Sequence, residues 1–262
     1  MKALAARRRH PLATVVLLLM ALVVTGAAYA VAAPKPADAS TTATGDVGKG
    51  RELFLANCAT CHGAQAAGTN AGPSLVGVGA AAVDFQVGTG RMPMQNTAPQ
   101  APRKPVELSD QDTKDIAAYV ASLGPGPAIP DSQYLQVKTD DKSIANGAEL
   151  FRVNCAMCHN VVGAGGALTR GKYAPPLDGV TPEHIYEAMA TGPQSMPVFN
   201  DANLRPTDKQ DVISYLKYLE TQPSPGGLSL GSIGPVSEAL FVWVFGMAVL
   251  IGCAVWLGAK SS

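Results

Sequence analysis

Hydrophobic residues are concentrated at the two ends of the chain. Residues 12–33 (LATVVLLLMALVVTGAAYAVAA) form an unbroken apolar run directly after Arg7, Arg8 and Arg9. Residues 239–258 (ALFVWVFGMAVLIGCAVWLG) form a second, with Trp243 and Trp256 towards its ends and Lys260 beyond it. A helix rises about 1.5 Å per residue, so either run is long enough to cross a hydrocarbon core of about 30 Å. The first predicts a membrane anchor within residues 1–33. The competing reading is a signal segment cleaved near Ala28–Ala30 or Val31–Ala33. Both readings leave the arginines in the cytoplasm and export the chain beyond residue 33. The second run predicts a C-terminal transmembrane helix over 239–258, in which Cys253 serves as a small hydrophobe.

Between the runs the pattern changes to amphipathic segments and polar loops. Residues 50–57 and 147–154 place Leu and Phe on one helical face. Ser109 with Asp110 and Asp112, and Thr207 with Asp208, predict N-caps opening a later helix in each half. No alternating run predicts a strand. The halves are copies of each other. GRELFLANCATCH (50–62) and GAELFRVNCAMCH (147–159) align without a gap at an offset of 97, with nine of thirteen positions identical. GPSLVGV (72–78) then matches APPLDGV (174–180), TGRMP (89–93) matches TGPQSMP (191–197), and DIAAYVASL (115–123) matches DVISYLKYL (211–219). A repeat of that length is a domain, not a solenoid unit. Pro- and Gly-rich segments at 34–45, 124–142 and 223–235 punctuate the chain. The expected fold is mainly α: an N-terminal segment (1–33), a first domain (46–123), a linker (124–142), a second domain (143–222) and the transmembrane helix (239–258).

Composition narrows the function. Twenty basic residues balance twenty acidic ones, so no global field favours nucleic acid. Aromatics make up 6% of the 262 residues, against 27 Gly and 20 Pro. That balance suits loop-rich domains whose cores are completed by something other than side chains. Export implies an oxidising compartment, where paired cysteines usually form disulfides.

Four of the five cysteines and two of the four histidines belong to the repeated hexamer Asn-Cys-Ala-x-Cys-His. Zinc sites pair two Cys-x-x-Cys units some 15–20 residues apart, whereas these units are 97 apart. A thioredoxin-like site needs a βαβ setting, and a plain disulfide leaves the histidine without a role. Attachment of c-type haem uses every position. Cys58 and Cys61, or Cys155 and Cys158, bind the two vinyl groups, and His62 or His159 ligates iron. Met92 and Met196, each followed by proline in matching places, are the candidates for the opposite iron ligand. Met94 and Met189 compete with them, and His184 is a weaker alternative in the second half. Pro73 and Pro175 are placed to accept the second N–H of the ligand histidines. Arg91, Arg170, Lys172 and Tyr173 are candidates for the haem propionates. No triad, phosphate loop or carboxylate pair suggests other catalysis, and no catalytic residue is assigned.

On these residues each half resembles a class I cytochrome c. The pattern is Gly50 and Phe54 ahead of Cys58, Cys61 and His62, then Pro73, Met92-Pro93 and Tyr119. The second copy has Gly147, Phe151, Cys155, Cys158, His159, Pro175, Met196-Pro197 and Tyr215. The whole arrangement is similar to the dihaem cytochrome c subunit of the actinobacterial cytochrome bc complex. That resemblance implies two covalently bound haem c groups. It implies cytochrome b and Rieske iron–sulfur subunits as partners, with electrons arriving from quinol through the Rieske protein and leaving to a terminal oxidase. It also implies membership of a proton-translocating quinol–cytochrome c reductase in the cell membrane, with membrane lipid around the anchors and the haem domains on the extracytoplasmic side. A membrane-bound dihaem shuttle serving several oxidases or reductases is the alternative. A dihaem peroxidase fits poorly, because two Met-Pro motifs close both irons.

Overall fold

A computed structural model of the chain describes residues 11–32, 45–96, 98–222 and 235–259. Arg7–Arg9, residues 34–44 of the first tether, residues 223–234 and Lys260 lie outside the described residues. In chain order the elements are α1 (Pro11–Ala32), α2 (Val47–Asn57), α3 (Ala59–His62), α4 (Ala80–Gly88), α5 (Asp110–Ser122), a 3-10 turn (Ser132–Tyr134), α6 (Asp141–Asn154), α7 (Ala156–His159), β1 (Gly166–Ala167), a 3-10 turn (Thr169–Gly171), β2 (Tyr173–Ala174), α8 (Pro182–Thr191), α9 (Pro206–Thr221) and α10 (Pro235–Ala259). The fold is mainly α. Among the described residues the only strands are β1 and β2, a two-residue antiparallel pair absent from the sequence pattern.

Helices α1 and α10 are long and apolar enough to cross a membrane, and within Leu12–Tyr29 and Ala239–Ala259 no residue is buried. A fully apolar surface of this kind on a helix is stable only when something apolar covers it.

In each repeat the first helix crosses the last, and one glycine sets how closely they approach. A Cβ built at Gly50 would lie 1.9 Å from the Asp115 carbonyl oxygen, and one at Gly147 2.0 Å from that of Asp211. Only a residue without a side chain lets the backbones meet there. One turn further on, Phe54 packs on Tyr119 (centroids 5.3 Å apart, planes at 52°) and Phe151 on Tyr215 (5.7 Å, 51°). Polar bonds secure the same crossing. Asp46 N donates to Asp115 Oδ1 at 2.8 Å, and Asn146 Nδ2 donates to Asp211 Oδ2 at 2.8 Å. The apolar cores gather around these contacts, with Phe54, Ile116 and Val120 in one and Phe151, Ile213 and Leu216 in the other.

Capping sets where the helices begin. Asp46, Ser109, Asp140 and Thr181 accept from the backbone N–H three residues on, opening α2, α5, α6 and α8. The start of α9 differs from the sequence expectation. Thr207 lies inside the first turn, after Pro206 at its first position, and the cap residue is Arg205. Asp208 accepts from Arg205 N at 3.2 Å and holds the guanidinium through Nε (2.8 Å) and Nη2 (2.9 Å). Proline at the first helical position pre-sets the backbone, and that moves the start ahead of the threonine.

Segment 124–142 is bound along its length. Pro127 O accepts from Ala81 N at 3.1 Å in the first repeat. Gln210 Nε2 donates to both Gln133 O and Gln136 O at 2.9 Å, and Lys138 N donates to Ser214 Oγ at 2.9 Å, which ties its far end to α9.

Candidate haem-binding sites

Each hexamer folds into a single turn continuing the first helix. The Cys58 amide donates to Phe54 O at 2.8 Å, and the His62 amide then donates to Cys58 O at 3.0 Å. The second copy repeats this, with Cys155 N to Phe151 O at 2.8 Å and His159 N to Cys155 O at 2.9 Å. The turn puts two thiols and an imidazole side by side at the end of a helix that the Gly50 or Gly147 crossing holds in place. None of the four thiols is in a disulfide. Burial, and then the neighbouring thiol, push Cys58 and Cys155 up to about 11. Redox-exchanging cysteines need the opposite shift.

The histidines are buried and their orientation is set from behind. His62 Nδ1 lies 2.8 Å from Pro73 O, and His159 Nδ1 lies 3.0 Å from Pro175 O. A carbonyl only accepts, so Nδ1 carries the proton and Nε2 keeps its lone pair. Burial holds His159 below the ordinary imidazole range, which keeps the ring neutral. In the first repeat the loop behind the ring needs glycine. A Cβ at Gly72 would lie 2.9 Å from Cys61 O and 3.1 Å from His62 Cε1.

Met92 packs against the first core, as do Cys58, Ala59 and Leu75. Met196 packs against the second, as do Ala156, Leu177 and Phe199, while Cys155 is part of that core. The Met92 amide donates to Gln86 O at 2.9 Å, which folds its loop back onto α4. Phe199 N does the same to Met189 O at 2.8 Å on α8. The competitors are placed differently. Met94 is half-buried and outside the first core, and Met189 is a packing side chain within the second, only 2% exposed. The donor set of each repeat, two thiols, an oriented neutral imidazole and a thioether bordering one apolar core, fits haem c chemistry.

Three of the four propionate candidates have other contacts. Arg91 lies over the Phe85 ring at 4.7 Å, and Lys172 Nζ donates to Ser195 Oγ at 2.9 Å. The Tyr173 backbone forms a two-way bridge to the Gln100 side chain, accepting at 2.7 Å and donating at 3.0 Å. Arg170 is exposed, with φ +59°.

His184 is not near the second hexamer's ligand position. It faces the first repeat, meeting the Phe85 ring edge-on at 6.1 Å. Helices α4 and α8 therefore pack against each other across the repeats. They are the equivalent helices of the duplication, each leading into a methionine loop, and Thr89 and Thr191 cap their ends alike by donating to Phe85 O and Glu187 O. This contact also assembles Asp84, His184 and Glu187. Burial, and then the charge of Asp84, push the Glu187 carboxyl up to about 10. One hundred residues separate Asp84 from His184, so local spacing carried no signal of this cluster.

Residues 47–124 match the family described as cytochrome c, and residues 142–216 match the family described as cytochrome c oxidase, cbb3-type, subunit III. The chain is 46% identical over 228 residues to the cytochrome bc1 complex cytochrome c subunit of Corynebacterium efficiens, covering 82% of this chain and 77% of that one. It is 43% identical to the subunit of the same description from Corynebacterium diphtheriae, covering 92% of each chain. The corresponding Mycobacterium tuberculosis subunit is 43% identical over 263 residues, covering 97% of this chain and 93% of that one.

Proposed function

The chain belongs to the cytochrome c subunits of the cytochrome bc1 complex, and from that premise we propose that it relays electrons between two covalently bound haem c groups, from the Rieske iron–sulfur protein to a terminal oxidase. Its two cytochrome c domains bind haem and carry electrons within the bc complex. Cytochrome b and the Rieske subunit are its partners there, and the complex is the proton-translocating quinol–cytochrome c reductase. Helices α1 and α10 both cross the cell membrane, surrounded by lipid, and the haem domains stand on the extracytoplasmic side.

When bound, haem c supplies a one-electron couple at its iron. The residues of this chain determine how that couple is held. Cys58 and Cys61, and Cys155 and Cys158, would hold each group through two thioether bonds. His62 and His159 would present Nε2 to iron, while donation from Nδ1 to the Pro73 and Pro175 carbonyls locks the ring and makes Nε2 more basic. Met92 and Met196 would supply a thioether to the iron, a ligand type that closes it to small molecules and raises its potential. The packing of α4 on α8 keeps the two methionine loops on linked supports, which suits transfer between the domains.

The observation that carries this reading is the duplicated imidazole–proline carbonyl contact at 2.8 and 3.0 Å beside two free thiols. Denatured, delipidated chain should retain haem, with a mass above that of the polypeptide by two haem groups. A haem-free denatured chain would falsify the covalent reading.

A further inference from the structure

We propose that Asp84, His184 and Glu187 form a binding site for a divalent transition-metal ion of the zinc class, joining the first cytochrome domain to the second. Asp84 comes from α4. His184 and Glu187 are one turn apart on α8 and so share a helix face. One donor atom from each lies within 4.8 Å of the other two. Zinc bonded at about 2.0–2.1 Å needs donors roughly 3.3 Å apart, so side-chain rotations of about 1.5 Å close the set. Water completes the fourth position.

The observation pointing to a ligand is Glu187. Its side chain is fully buried, and neither carboxylate oxygen has a hydrogen-bond donor. Its polar neighbour is the Asp84 carboxyl, which it can meet only by sharing a proton, and that leaves the second Glu187 oxygen without a partner. A buried carboxyl group with an unpartnered oxygen is costly and calls for a partner. Lys209, the other fully buried charged side chain among the described residues, has its partners: Nζ donates to Asp201 Oδ1 at 2.6 Å and to Leu204 O at 2.9 Å. Arg91, Arg103 and Lys114 act on Asp84 or His184 through their charge, yet none bonds either Glu187 oxygen.

A proton shared between Asp84 and Glu187 would use one oxygen of each and leave the imidazole out. A cation takes a donor from all three. Imidazole among only three protein donors suits zinc, whereas magnesium and calcium take six or more oxygens. The imidazole is seated closely, since a Cβ at Gly88 would come within 3.2 Å of His184 Nε2. Because the donors come from both domains, the bound ion would tie α4 to α8.

The test uses untagged, full-length, haem-loaded protein in detergent. After exposure to zinc and dialysis, elemental analysis should find a single zinc for every pair of haem irons. Glu187→Gln, Asp84→Asn and His184→Gln should each weaken zinc binding at least about tenfold, since even changes behind a ligand cost that much. His10→Ala should not. Haem absorption reports whether each variant is folded. Chelation of the native protein should raise hydrogen exchange in α4 and α8 together, with the haem bands unchanged. A folded wild-type chain that holds no zinc after dialysis, or holds it no more tightly than Glu187→Gln, overturns the proposal whatever the variants do. Neither result bears on haem attachment or electron transfer.

Discussion

Among single side chains, the methionines differ in where they stand relative to each core. Met92 borders the core that also carries Cys58, whereas Met94 lies outside it. Met92→Leu should therefore abolish the sulfur–iron absorption band of one haem and lower its potential, because thioether ligation raises it. Met94→Leu should leave the band intact. Loss of the band in Met94→Leu with retention in Met92→Leu would reverse the assignment. In the second domain Met196→Leu should act as Met92→Leu does. Met189 packs inside the core at 2% exposure. Met189→Leu, a swap of similar volume, should cost under about 1.5 kcal/mol and leave the band unchanged.

Helices are governed by their crossings and their caps. Gly50→Ala and Gly147→Ala would each drive a Cβ to about 2 Å from a backbone carbonyl oxygen, and neither backbone has room to yield without opening the crossing. Each substitution should destabilise its own domain by about 1–3 kcal/mol or more, read as a lower denaturant midpoint for one haem band and not the other. At the start of α9, Arg205 beside Asp208 holds that carboxyl below the usual carboxylate range. A lowered folded-state pKa contributes stability that is present above the unfolded pKa and lost as pH falls. Asp208→Asn should thus cost about 0.5–1 kcal/mol at pH 7. The gap between variant and parent should narrow below about pH 4, where the unfolded carboxyl begins to take up protons. Urea titrations of both proteins across that range would show it, and a gap independent of pH would count against the ion pair.

For the molecule as a whole, the haem domains and the membrane helices do different jobs. The domains carry their own cores around Phe54 and Phe151, while α10 has no buried residue within Ala239–Ala259. Removing residues 237–262 should leave both haems attached and spectrally normal. It should also release the protein from the complex and collapse quinol-driven respiration through this branch, because anchoring replaces diffusion with a high local concentration. Full quinol-to-oxidase turnover by the truncated protein would favour a free shuttle instead.

Much of this protein is legible in the sequence because its chemistry is local. Two thiols and an imidazole within one helical turn, a proline carbonyl a short loop away, and a membrane-length apolar run all depend on neighbours in the chain. The duplication makes each signal visible twice, and the Gly50/Phe54 and Gly147/Phe151 pairs mark the crossing helices. The cap of α9 lies two residues ahead of the threonine that the sequence pattern favours, since proline's fixed φ outweighs threonine's capping preference there. What the tertiary structure alone decided lies between the repeats. The packing of α4 on α8, the seat of His184 against Phe85 and the meeting of Asp84 with Glu187 join residues about a hundred positions apart. No periodicity or spacing encodes such contacts, because they arise only when two surfaces distant in the chain bury each other.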